Sequence, residues 1–184
     1  LATPNYFLSM EQVGVKIRLL SSSTRSLIQN QRIRIHLGTQ ERMARIALIG
    51  CNELTPGTEI PALLRLESPL VASKGDKFIV RSYSPILTIG GGEILETVIH
   101  GKWKEAKNSI KSLYNRNEIE QLLFLVEEAG VNPLTKKSLQ VRLGMSIVQL
   151  DQLVNRKKEF IWHKYNNKEW LLSKGHLEKI KQNI

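Results

Sequence analysis

The stretch Gln31-Arg32-Ile33-Arg34-Ile35-His36-Leu37-Gly38-Thr39-Gln40-Glu41 decides how the first half of the chain folds. Ile33, Ile35 and Leu37 alternate with Arg32, Arg34 and His36, the period of two that a half-buried strand shows because successive side chains point to opposite faces. Gly38-Thr39 turns the chain, and Ala44, Ile46 and Leu48 bring it back. The segment predicts a hairpin with one apolar and one basic face.

The same period extends outward. Upstream, Val15, Ile17 and Leu19 alternate with Lys16 and Arg18. Downstream, Pro56-Gly57 makes a turn, Ile60, Ala62, Leu64 and Leu66 alternate again, Lys74-Gly75-Asp76 makes another turn, and Phe78 to Arg81 and Ile86 to Leu95 complete the set. About six strands with no helical stretch predict a small antiparallel β-barrel or sandwich.

After Leu95 the period becomes helical. Trp103, Ala106, Ile110 and Leu113 share one face of a helix, expected to bridge two halves. Asn117 with Glu120 forms a capping box ahead of Ile119, Leu122, Leu123 and Val126, and Gly130 ends that helix. A short helix is expected from Thr135 to Leu143, stopped by Gly144. Ser146 with Gln149 caps a third, whose apolar stripe is Ile147, Leu150, Leu153 and Val154. Phe160-Ile161-Trp162 and Trp170-Leu171-Leu172 flank an Asn166-Asn167 turn and read as a β-hairpin. Three helices followed by a hairpin is the order of a winged helix-turn-helix. The fold class is therefore multi-domain, β plus α/β: a barrel over residues 1–97, a linker helix over 98–116 and a winged helix over 117–184.

The chain has 184 residues, 41% apolar and 24% charged, with a formal charge of +10. Such a charge favours phosphate-bearing partners. Residues 1–97 hold 11 Lys/Arg against 8 Asp/Glu and residues 98–184 hold 16 against 9, so the excess leans C-terminal. The single Cys51 forms no internal disulfide, no signal peptide is evident, and a reducing cytoplasm is the expected location. No run approaches the roughly 18 apolar residues a membrane span needs. The start at Leu1 suggests a piece of something longer.

Catalytic signatures are missing. Phosphate-cradling G-x-x-x-x-G-K-[ST] does not occur: Gly101-Lys102 lacks the earlier glycine, and Asn167-Lys168-Glu169-Trp170 lacks the aspartate of N-K-x-D. Gly90-Gly91-Gly92 follows a strand but precedes no helix, which favours close strand packing over a phosphate cradle. His36, His100, His163 and His176 have no second ligand at metal spacing. No G-x-S-x-G elbow holds a nucleophile. The basic faces remain. Arg32, Arg34 and His36 project the same way and suit a phosphate backbone, or form a solvated sheet face. Gln149, Gln152 and Arg156 lie opposite the third helix's apolar stripe, with Lys157, Lys158, Lys164 and Lys168 following, where a winged helix offers nucleic-acid contacts or merely spaces other domains.

Several motifs in order resemble the third, elongation factor Tu-like barrel of selenocysteine-specific translation elongation factors. They are Gln31 to Glu41, Pro56-Gly57, Leu64-Arg65-Leu66-Glu67-Ser68-Pro69-Leu70, Lys74-Gly75-Asp76-Lys77-Phe78-Ile79-Val80-Arg81, and Tyr83-Ser84-Pro85 with Thr88-Ile89-Gly90-Gly91-Gly92. Leu1-Ala2-Thr3-Pro4 resembles the entry into that barrel. The resemblance implies a chain without GTPase activity from a parent that is a translational GTPase, with no cofactor of its own, since GTP and Mg²⁺ would sit in an N-terminal domain outside it. It implies selenocysteinyl-tRNA and the ribosome as partners, the selenocysteine-insertion mRNA hairpin being bound by further C-terminal domains, with no membrane partner and a monomeric state. By position in the motif, the tRNA-facing candidates are Arg32, Arg34, His36, Thr39, Arg81, Tyr83 and Ser84. The competing expectation is a DNA-binding transcription regulator with a barrel sensor.

Overall fold

In a computed structural model, residues 8–99, 102–130, 132–173 and 175 are described. Leu1 to Pro4, His100, Gly101 and His176, named above, lie outside them. The contacts divide the chain into two compact units, Leu1–Asn115 and Arg116–Ile184.

The first unit begins with β1 (Leu8–Leu19), β2 (Leu27–Ile28), β3 (Arg32–Leu37) and β4 (Gln40–Leu48). It continues with β5 (Glu53–Leu54), β6 (Glu59–Ala72), β7 (Lys77–Ser82) and β8 (Thr88–Glu96). Six of these close into an antiparallel barrel in the order β1-β6-β4-β3-β7-β8, and β2 pairs with β5 as a short separate ribbon. The alternating apolar positions fill the interior: Val15, Ile17, Ile33, Ile46, Leu64 and Val80 are wholly buried. Each such side chain contributes about 1.5–3 kcal/mol by leaving water.

The seam between β1 and β8 explains the glycine triplet. Leu19, Arg18 and Ile17 pair with Gly90, Gly91 and Gly92, which pair on their other side with Val80, Ile79 and Phe78. A Cβ at Gly90 would collide with the Arg18 carbonyl, and one at Gly92 with the Lys16 carbonyl and the Phe78 ring. The triplet lets backbones approach closely enough to complete the barrel. Strand β8 starts at Thr88, not Ile86. Ile86 and Leu87 stay exposed in the preceding loop because Ser82 Oγ accepts from Leu87 N–H at 3.1 Å and holds it closed.

Helix α1 (Trp103–Tyr114) falls within the first unit. Its stripe of Ala106, Ile110 and Leu113 is buried, and Ala106 and Ile110 join Ala47, Ile49, Leu63 and Leu95 in a second core outside the barrel wall. Ile110 lies against Gly14, where a side chain would clash with it. Tyr114 Oη donates to the Glu59 carbonyl at 3.4 Å and pins the helix end to β6.

The second unit holds α2 (Glu118–Ala129), β9 (Leu134–Thr135), α3 (Lys136–Leu143), α4 (Ile147–Asn155), β10 (Phe160–Tyr165) and β11 (Lys168–Ser173). Both expected capping boxes form, Asn117 with Glu120 and Ser146 with Gln149. Gly144 ends α3 in the left-handed conformation that disfavours other residues. Asn166 and Asn167 take positive φ values of 47° and 57° and turn the hairpin. Leu150, Leu153 and Val154 are buried, but Ile147 is 53% exposed: it occupies the first helical position, where the chain has not yet turned onto the core. Strand β9, too short to show a period, adds to the hairpin in the order β10-β11-β9. Lys136 fastens the unit, its ammonium 2.8 Å from Asp151 of α4, 3.3 Å from Glu169 of β11 and 5.0 Å from the Trp162 ring centroid.

Candidate functional site

Strand β3 turns Ile33 and Ile35 inward and leaves Arg32, Arg34 and His36 half-buried on the outside. Register then aligns these with cations the sequence keeps far apart. Arg32 pairs with Arg45 of β4, and Arg45 pairs with Arg65 of β6. One step along, Arg34 pairs with Arg81 of β7. Five guanidinium groups thus occupy one outer face across four adjacent strands. Directly opposed like charges destabilise a sheet, so this face is electrostatically loaded towards an anion.

Two carboxylates and two rings organise the face. Arg32 donates to both oxygens of Glu67, from Nε at 2.7 Å and from Nη2 at 2.5 Å. The hydrogen bond to Arg32 holds the Glu67 carboxyl below its ordinary value, with the charges of Arg32 and Arg45 acting the same way against the smaller opposing effect of desolvation. The same bond raises Arg32. The Arg32 guanidinium lies 4.6 Å from the Tyr83 ring centroid, and that of Arg65 lies 3.7 Å from Trp103. Each ring holds a planar cation against its face, a contact that guanidinium groups favour. Arg34 pairs with Glu41, and His36 Nε2 is 3.5 Å from the same carboxylate. The Nε atoms of Arg34 and Arg81, covered from solvent, have no hydrogen-bond partner among the described residues.

The structure gathers Arg32, Arg34, Arg81 and Tyr83 and places Ser84 in the adjoining loop, whereas Thr39 sits exposed in the turn at the far end of β3. Arg45, Arg65 and the counter-charges Glu67 and Glu41 escape sequence reading. Arg45 and Arg65 do occupy polar positions of alternating strands, but only the inter-strand register shows that they line up with Arg32.

In the second unit Gln149, Gln152, Arg156 and Lys158 are exposed and Lys157 is half-buried. The Oε1 of Gln149 is engaged, accepting from Ser146 N–H at 2.9 Å in the capping box. The wing lysines, both exposed, separate as well. Lys164 pairs with Glu169 on the face that carries Trp162, and Lys168 pairs with Tyr165 on the other. Among the described residues no three His, Cys, Asp or Glu side chains gather as metal ligands, and no helix is long and apolar enough to cross a membrane.

Residues 14–99 match the family described as selenocysteine-specific elongation factor, beta-barrel domain. The selenocysteine-specific elongation factor of Desulfomicrobium baculatum is 29% identical over 154 residues, which are 83% of this chain and 24% of that protein. A crystal structure of the bacterial selenocysteine-specific elongation factor EF-Sec superposes with a TM-score of 0.64 at 22% identity, covering 98% of this chain and 26% of its own. The chain spans about a quarter of the length of each.

Proposed function

We propose that this chain is a non-catalytic portion of a selenocysteine-specific elongation factor, the family whose β-barrel domain residues 14–99 match, and that it supplies an RNA-facing surface. The observation that carries the reading is the in-register arginine row Arg65–Arg45–Arg32, continued by Arg34 and Arg81. Guanidinium groups spaced by the strands of a rigid barrel neutralise successive phosphates and release counterions, giving affinity that depends on salt more than on base sequence.

In this reading the RNA is selenocysteinyl-tRNA, held by its backbone while the factor delivers it to the ribosome. GTP and Mg²⁺ would bind a GTPase domain of the factor outside this chain, and the mRNA hairpin would bind further C-terminal domains. The chain would act as a cytoplasmic monomer. The second unit, with Arg156, Lys157, Lys158, Lys164 and Lys168, would space those domains or add phosphate contacts. The comparisons do not favour a DNA-binding regulator.

A gel-shift assay of the chain with selenocysteinyl-tRNA across salt concentrations tests the proposal. Arg45→Glu with Arg65→Glu is expected to weaken binding at least about tenfold and flatten the salt slope by about two. Equal affinity of this exposed double variant at low salt would sink it.

A further inference from the structure

We infer that the barrel also carries a nucleotide-binding cleft at the end of its arginine row, between the β1–β2 and β7–β8 loops. A cavity of about 380 Å³ opens there, within the range of small-ligand sites. Its lining is of two kinds. Leu27, Leu87 and Ile89 form an apolar wall, and Thr24, Ser26 and Ser84 offer hydroxyls beside the guanidinium groups of Arg25 and Arg32. No carboxylate lines it. Arg25 makes no ion pair among the described residues, so its charge is available to a ligand.

The walls are held in place before any ligand arrives. Ser23 Oγ donates to the Arg25 carbonyl at 2.8 Å, and Ser82 Oγ bridges the other loop by accepting from Leu87 N–H and donating to the Pro85 carbonyl. Tyr83, 49% exposed, stands at the cleft with Arg32 beside its ring, a shelf on which a base can stack. The Arg25 cation, the hydroxyls, an apolar wall and a stacking shelf together fit a phosphate-bearing nucleoside: the phosphate goes to Arg25, the ribose to the hydroxyls and the base to Tyr83 and Leu87. A free mononucleotide and the phosphorylated end of an RNA share this chemistry. The inference goes beyond the phosphate-backbone reading and does not need it.

Amide-shift NMR on the chain with adenosine 5′-monophosphate provides the test. The nucleotide is expected to move amides of Ser23 to Leu27 and Ser82 to Leu87, with adenosine alone or inorganic phosphate alone binding at least about fivefold more weakly. Arg25→Ala and Tyr83→Ala, both in exposed loops, are each expected to weaken it about fivefold or more while the rest of the spectrum stays unchanged. A 5′-phosphorylated oligouridylate that moves the same amides more strongly than the mononucleotide assigns the cleft to RNA ends. The reverse order assigns it to free nucleotides, and both support the site. No movement of cleft amides at about 10 mM nucleotide, or undiminished binding by Arg25→Ala, overturns it. Arg45→Glu with Arg65→Glu separates the two proposals, since it leaves the nucleotide shifts intact whatever it does to tRNA affinity.

Discussion

Arg32 and Glu67 lie on strands that are not neighbours in the barrel, and their two-pronged pair reaches across β4, with Arg45 between them. One carboxylate therefore serves as counter-ion to two guanidinium groups. It restrains the positive face in the free protein and sets how much charge is left for a ligand.

Glu67→Gln removes that restraint. Polyanion affinity at low salt is expected to rise about threefold to tenfold, with the slope of log affinity against log salt steeper by nearly one, because Arg32 then neutralises an additional phosphate. Filter binding of tRNA at several ionic strengths checks it; an unchanged slope would mean that Arg32 never meets the ligand.

The lowered Glu67 carboxyl also predicts an acid response. A carboxylate held below its ordinary value of 4.5 stabilises the fold above that pH, and the stabilisation is lost as pH falls through the lowered value. In urea titrations from pH 7 to pH 2, the midpoint difference between the parent chain and Glu67→Gln is expected to be constant above about pH 5 and to shrink towards zero below about pH 4. The exposure of both groups keeps the effect small and sensitive to salt.

Closure of the barrel gives a steeper prediction. Gly90→Ala or Gly92→Ala forces a side chain into a carbonyl of β1 and is expected to cost about 3 kcal/mol or more, read as a lower urea midpoint. Gly75→Ala, at a turn with open space around it, tests the distinction: its cost comes only from the positive φ of 89° and is expected to be near 1 kcal/mol.

Lys136 predicts the behaviour of the second unit. Burial lowers its ammonium pKa, yet the hydrogen bonds to Asp151 and Glu169 outweigh that and leave it raised. Its contribution is thus complete below the ordinary value of 10.5 and lost as pH rises through the raised one. Lys136→Met is expected to cost about 1–3 kcal/mol near neutrality, by stranding two carboxylates. The measurement is faster hydrogen exchange at the α3, α4 and β11 amides, with the barrel amides unaffected.

The strands were legible because the barrel interior tolerates only apolar side chains. Ile33 and Ile35, or Val15 and Ile17, leave a period of two that nothing else in the chain imitates. The capping boxes were equally plain, being local hydrogen-bond chemistry within four residues. What sequence hid was long-range. Arg32, Arg45 and Arg65 form a row only through a register set by three strands, and Arg34 meets Arg81 only through β7. The stripe of Ala106, Ile110 and Leu113 suits a bridging helix as well as a packed one, and the bare backbone at Gly14 that receives Ile110 lies nearly a hundred residues earlier. Ile147 misled because the first turn of a helix shares the pattern but not the burial.

The glycine seam has one more consequence. A sheet that closes on itself leaves no main-chain edge to recruit strands from other molecules, and here closure depends on three residues without side chains rather than on any neighbouring domain. Such a unit is portable: it can be joined to new partners at either terminus, in evolution or in the laboratory, without exposing a sticky margin to the crowded cell.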